Sequence, residues 1–159
     1  MIVLGIDPGT AATGYGLVER SGSRLRALDY GCVETASELD PALRLLQVHS
    51  AVSDLIGLYQ PALLGVERLF FNRNVRTAFA VGQARGVVLL AAAEHGLRVF
   101  EYGPHEVKIA VTGYGRAGKE QVQRMVQVVL GMASVPRPDD AADALAVAIC
   151  LAHAHRPAA

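Results

Sequence analysis

The chain has 159 residues, 52% of them hydrophobic and 19% charged, which is enough apolar material for the core of one globular domain, and its formal net charge is zero. Its first residues, Met1-Ile2-Val3-Leu4-Gly5-Ile6-Asp7, carry no basic stretch ahead of the apolar run, and no run approaches the ~20 apolar residues of a membrane span. No signal peptide and no membrane partner are therefore expected, and the chain reads as cytoplasmic, with one domain over residues 1–155 and a short tail at 156–159.

In chain order, Ile2 to Ile6 is a continuous apolar run stopped by Asp7-Pro8-Gly9, as in a strand buried on both faces and ended by turn residues. Thr13 to Arg20 and Leu25 to Val33, parted by Ser21-Gly22-Ser23, read as the second and third strands of an antiparallel meander. Asp40-Pro41 starts a helix, with an N-cap carboxylate and a proline at the first helical position, and Leu43, Leu46, Ala51, Leu55 and Leu58 recur near helical period before Pro61. Ala62 to Val66 is a short apolar run for a central parallel strand, and it ends on Glu67. Val75 to His95 is Ala-rich and closed by Gly96, a helix with a glycine stop. Leu97 to Phe100 is a fifth strand, Pro104 opens a short helix, a Gly-rich loop spans Gly113 to Gly118, and Glu120 to Leu130 makes another helix. The last helix follows Pro136-Arg137-Pro138 and runs from about Asp139 to Leu151. This order predicts an α/β fold, a five-stranded mixed sheet flanked by helices, with ligands collecting at the carboxyl ends of the strands.

The zero net charge conceals a segregated distribution. Residues 1–66 carry four basic and seven acidic side chains, a net of −3, and residues 67–159 carry eleven and eight, a net of +3. Four arginines and no acid lie between Arg68 and Ala93. If Asp7, Glu67, Asp140 and Asp143 bind two divalent cations, their −4 is cancelled and the loaded chain is about +4. Such a surface suits phosphates, although a merely solvated basic face has the same composition. Cys32 and Cys150 stand far apart without metal-ligand spacing and are expected as two reduced core thiols.

Four carboxylates carry the chemical signal. Asp7 ends a buried strand, where an aspartate must be paired, hydrogen-bonded or metal-bound; it could instead cap its own Asp-Pro-Gly turn. Glu67 ends the second apolar strand and is either a solvated strand end or a site residue. Asp140 and Asp143, three apart, share one helix face. Asp139 and Asp140 could serve only the helix N-terminus, but Asp143 lies on a helix that is apolar nearly all round, where a charge needs a counter-ion. Oxygen donors of this kind suit Mg²⁺ or Mn²⁺ rather than Zn²⁺. Two such ions would serve phosphodiester hydrolysis.

Taken together, Gly5-Ile6-Asp7-Pro8-Gly9-Thr10 with Thr13-Gly14-Tyr15-Gly16, then Val66-Glu67, Gly82-Gln83-Ala84-Arg85-Gly86 and Asp140-Ala141-Ala142-Asp143-Ala144-Leu145-Ala146 resemble the RuvC family of Holliday-junction resolvases, from Ile2 to about Leu151. The resemblance implies a ribonuclease H-like fold and a homodimer that nicks opposing strands of four-way junction DNA symmetrically during recombination and repair. It implies Asp7, Glu67, Asp140 and Asp143 as metal ligands, and a partner motor complex, RuvA with RuvB. Asp139 then falls outside the family's Asp-Ala-Ala-Asp spacing and is expected as the N-cap.

The chain uses thirteen arginines but only two lysines, Lys108 and Lys119, and a lysine kept in so arginine-rich a chain suits compact contact with a scissile phosphate. In the resemblance both match lysines close to the active centre, and Lys119 joins the catalytic set. Phe70 and Phe71 lie beside Asn72-Arg73-Asn74, where bases could stack, though a core role is open to both. Phe70 matches the family position that wedges into the opened junction. Arg73, Arg76 and Arg116 are expected DNA contacts, whereas Arg85 could as easily make an internal ion pair. Ala78 to Ala93, small and apolar, is a candidate dimer surface.

Three rival readings remain. Gly113-Tyr114-Gly115-Arg116-Ala117-Gly118-Lys119 fits much of a phosphate-binding glycine loop, but Glu120 stands where a P-loop needs Ser or Thr, so no nucleotide cofactor is expected. Asp7-Pro8-Gly9-Thr10 is compatible with an actin-like nucleotide-binding module, whose fold needs two such domains. A non-catalytic junction-binding module and a related nuclease acting on RNA complete the alternatives.

Overall fold

The computed structural model describes residues 1–68 and 74–156. Its elements are β1 (Ile2–Asp7), β2 (Ala12–Ser21), β3 (Arg24–Glu34), α1 (Pro41–Tyr59), β4 (Leu63–Glu67), α2 (Val75–Glu94), β5 (Arg98–Tyr102), α3 (Pro104–Thr112), α4 (Lys119–Val129) and α5 (Asp139–Ala154). The sheet order is β3-β2-β1-β4-β5, with β1, β2 and β3 an antiparallel meander and β4 and β5 parallel to β1. This is the expected mixed sheet. The fifth strand is displaced from Leu97–Phe100 to Arg98–Tyr102, because its parallel pairing with β4 begins at Leu63 opposite Arg98 and ends at Glu67 opposite Tyr102.

Helices cover both faces. On one face Leu4, Ile6, Leu17, Leu64 and Val66 pack against Val48, Val52 and Ile56 of α1 and Val88, Ala91 and Ala92 of α2. On the other, Val3 and Val18 meet α5, with Val107 and Val111 of α3 and Val126 of α4 behind it. From Ala144 to Ala152 every residue of α5 is buried, so this helix is the centre of the second core. Its side chains are small because its backbone must come close to the sheet. A Cβ on Gly5 would overlap the Ala144 carbonyl oxygen and sit 2.6 Å from the Ala148 nitrogen, so glycine is required there by proximity rather than by backbone angle.

Local signals account for the boundaries. Asp40 caps α1 by accepting from the Ala42 N–H at 2.9 Å, with Pro41 at the first helical position as expected. Asn74 caps α2 in the same way through the Arg76 N–H at 2.9 Å. Gly96 follows the end of α2 at φ 66°, the left-handed conformation that favours glycine. By length and composition α2 could cross a membrane, which a reading by unbroken apolar runs misses. Ala84, Val88, Ala91 and Ala92 nonetheless bury it against the sheet, while Val75, Phe79 and Leu90 of the same helix stay exposed.

Candidate active site

Parallel pairing of β1 with β4 sets Ile6 beside Val66, so Asp7 and Glu67 finish neighbouring strands at the same edge of the sheet. The start of α5 comes to this edge as well. Carboxylate oxygens of Asp7, Asp140 and Asp143 all lie within 4.8 Å of one another. Glu67 stands just beyond that triad and lines a cavity of about 250 Å³ with Asp143, Lys108, Lys119 and the apolar Val107 and Val147. Both lysines and two of the four expected carboxylates, Glu67 and Asp143, therefore share one cavity, and Asp7 and Asp140 join Asp143 in the triad beside it.

The turn after Asp7 is held by its neighbours, which answers whether Asp7 exists to cap it. The Thr13 hydroxyl donates to the Gly9 carbonyl at 2.5 Å, and the Gly9 N–H donates back to it at 3.3 Å. Thr10 donates to the Ala80 carbonyl at 3.1 Å and accepts at its own carbonyl from the Thr35 hydroxyl at 2.6 Å. Asp7 is free of that task, and its carboxyl shares a hydrogen bond with Asp140.

Electrostatics make the cluster unstable as a set of bare charges. Burial first, then the charges of Asp143, Asp140 and Glu67, push Asp7 from the usual 3.8 up to about 8. Burial also raises Asp143, against the pull of the Lys119 ammonium. Asp143 in turn raises Lys119, with smaller help from Asp139 and Asp140. Crowded oxygen donors whose repulsion is relieved by a cation are the chemistry of a hard divalent-metal site, and these residues fit one. Among the described residues no histidine joins the triad.

Two expectations are corrected. Asp139 is the first residue of α5 rather than its cap, which is Pro138, and its carboxylate faces α4. There it accepts from Gln123 Nε2 at 3.0 Å and Arg137 Nη1 at 3.0 Å and pairs with Lys119 Nζ at 3.3 Å. Cys32 is half-buried at the edge of the site rather than in the core, with its Sγ 4.0 Å from Asp140 Oδ2. Its thiol is pushed up to about 11, by burial and then by Asp140, Glu34 and Asp7. Cys150 is buried as expected.

The expected DNA contacts divide. Lys108 and Lys119 lie on the cavity, whereas Arg76 and Arg116 are exposed and line none of it. Phe70, Phe71 and Arg73 lie outside the described residues. Arg85 makes the internal ion pair, with Glu101 of β5. The residues that sequence reasoning missed are Gln123, whose amide is buried between α4 and α5, and Gly14, whose close approach to α5 lay hidden inside the Thr13-Gly14-Tyr15-Gly16 motif.

Residues 3–151 match the family model described as Crossover junction endodeoxyribonuclease RuvC. A protein of that name from Heliobacterium modesticaldum is 59% identical over 153 residues, covering 96% of this chain and 94% of the relative. Its counterpart from Moorella thermoacetica is 60% identical over 150 residues, covering 94% and 90%. The solved structure of Thermus thermophilus RuvC in complex with Holliday junction substrate is 40% identical, with a TM-score of 0.90, and the match covers 94% of this chain and 92% of that one.

Proposed function

The chain belongs to the RuvC family of crossover junction endodeoxyribonucleases, and from that premise we propose that it resolves four-way DNA junctions by metal-dependent phosphodiester hydrolysis. The observation that carries the reading is the meeting of Asp7 from β1 with Asp140 and Asp143 from α5 within 4.8 Å, at the strand edge where Glu67 also ends.

In this reading Asp7, Glu67, Asp140 and Asp143 would hold two Mg²⁺ or Mn²⁺ ions. When bound, such a pair activates a water and stabilises the departing oxygen of the phosphodiester. The protein's own work is to hold the donors in place. The sheet fixes Asp7 and Glu67 through backbone pairing, and α5 fixes the other two through its buried face. Asp7 would bind a cation as the carboxylate and so release its proton, because burial and the neighbouring carboxylates raise it to about 8. Lys119, which lines the cavity, sets an ammonium against the scissile phosphate, and Lys108 supports it from α3. Phe70, with Phe71 near it, stacks on or wedges between bases at the junction centre. Arg73, Arg76 and Arg116 contact backbone phosphates.

The chain acts as a homodimer, so that two equivalent sites meet opposing strands. The exposed Val75, Phe79 and Leu90 of α2 support that assignment. It works in the cytoplasm as one nuclease domain over residues 1–155, downstream of the branch-migration complex of RuvA and RuvB.

Cleavage of matched four-way DNA, duplex DNA and RNA in Mg²⁺ or Mn²⁺ tests the reading. Paired nicks confined to the four-way substrate are expected. Preferred cleavage of RNA would reassign the nuclease, and junction binding without cleavage would make it a binding module.

A further inference from the structure

We propose that Asp139 is a positioning residue that holds the Lys119 ammonium at the active site while cations occupy the neighbouring carboxylates. The proposal rests on the catalytic role given to Lys119 above.

Lys119 and Gln123 are the first and fifth residues of α4 and so lie on one face of that helix, one turn apart. Both reach the same carboxylate. Gln123 Nε2 donates to Asp139 Oδ1 at 3.0 Å, and Lys119 Nζ stands 3.3 Å from Asp139 Oδ2. Gln123 is 5% exposed, so its amide is a fixed donor rather than a swinging one. Arg137 adds a second donor to Oδ1 at 3.0 Å and also reaches Gln123 Oε1 at 3.5 Å. Asp139 is thus clasped on one oxygen by two donors and left with the other for the lysine.

The need for such an anchor follows from where the other charges go. Besides Asp139, Lys119 shares its cavity with the Asp143 carboxylate. Asp143 belongs to the triad that would bind cations, and its charge is then consumed by the metal. A lysine is a long flexible stem with a strongly hydrated head, and Lys119 is more than half exposed. Having lost Asp143, and now facing divalent cations, it would drift to solvent. Asp139 adjoins Asp140 in sequence but points to α4, outside the triad, so its charge remains available to keep the ammonium in place.

A double-mutant cycle on the full chain tests this, with Asp139→Asn, Lys119→Ala and the pair. The readouts are single-turnover cleavage of a four-way DNA junction in Mg²⁺, junction Kd, Mn²⁺ affinity by electron paramagnetic resonance, and melting temperature. Asp139→Asn should slow cleavage about 10- to 100-fold, the scale of a misplaced catalytic group, with Kd, Mn²⁺ affinity and melting within error of wild type. The pair should be no slower than Lys119→Ala alone, and Asp139→Glu should recover part of the rate. Wild-type cleavage by Asp139→Asn, losses that multiply in the pair, or an equal loss in Kd would each overturn the proposal. If Lys119→Ala itself cleaves at the wild-type rate, the role of Lys119 fails first, and that of Asp139 with it.

Discussion

Gly14 of β2 lies directly under the Asp140 backbone, so close that a Cβ there would overlap the Asp140 carbonyl oxygen. Gly14 is also the strand partner of Asp7. One residue without a side chain therefore sets the distance between the sheet that carries Asp7 and the helix that carries Asp140 and Asp143. Gly14→Ala should push the start of α5 away from β1, lowering stability by about 1–3 kcal/mol through overpacking and weakening Mn²⁺ binding. Gly65→Ala is the control, because its Cβ would meet side-chain atoms of Val147 and Leu151 at 3.1 and 3.3 Å, which can yield. Thermal melting and Mn²⁺ titration of the two variants check this, and equal effects on Mn²⁺ affinity would contradict it.

Asp7→Asn, Glu67→Gln and Asp143→Asn should each abolish cleavage, by ~10³-fold or more, equivalent to about 4 kcal/mol of barrier. Junction binding should survive in all three, since phosphate contacts on other residues supply affinity. Paired gel-shift and cleavage assays separate the two quantities. A variant with full activity would remove its residue from the site.

A pH dependence follows from Asp7. Its folded carboxyl is raised from 3.8 to about 8, so the protonated form favours the folded state. That contribution is fully present below 3.8 and is lost as pH rises through about 8. Asp143 is shifted in the same direction. The metal-free melting temperature should therefore fall toward pH 8. Asp7→Asn should flatten the fall and melt higher at pH 8, by about 2–4 °C for each ~1 kcal/mol recovered. Mg²⁺ or Mn²⁺ should raise the wild-type melting temperature more at pH 8 than at pH 6, because less proton release opposes binding. Parallel pH curves for wild type and Asp7→Asn would contradict the assignment.

Phe79 is 68% exposed on α2, between the exposed Val75 and Leu90. If this face joins two copies, Phe79→Glu should yield a monomer by analytical ultracentrifugation and lose coordinated paired nicking. An unchanged dimer would place the interface elsewhere.

The carboxylates were legible because each interrupts a strong local pattern. Asp7 and Glu67 close apolar strands, and Asp143 interrupts the buried run from Ala141 to Ala152. The helix start at Asp40 rests on a cap within two residues and reads with similar ease. What could not be read depends on contacts between distant segments. Cys32 reaches Asp140 only because β3 pairs with β2 so that Gly14 faces Cys32 and leaves room for α5. Asp139 looks like a cap in sequence, and only the packing of α4 against α5 turns it toward Gln123 and Lys119. The end of β5 was set by its register on β4 rather than by its own hydrophobicity.

The central claim is that carboxylates from β1, β4 and α5 hold two hard cations at one strand edge. Anomalous diffraction from a Mn²⁺-soaked crystal tests it most directly. Two peaks are predicted, about 3.5 to 4 Å apart, bounded by Asp7, Glu67, Asp140 and Asp143. No peak within coordination distance of Asp7 at saturating Mn²⁺, or peaks bound only by other residues, would contradict it.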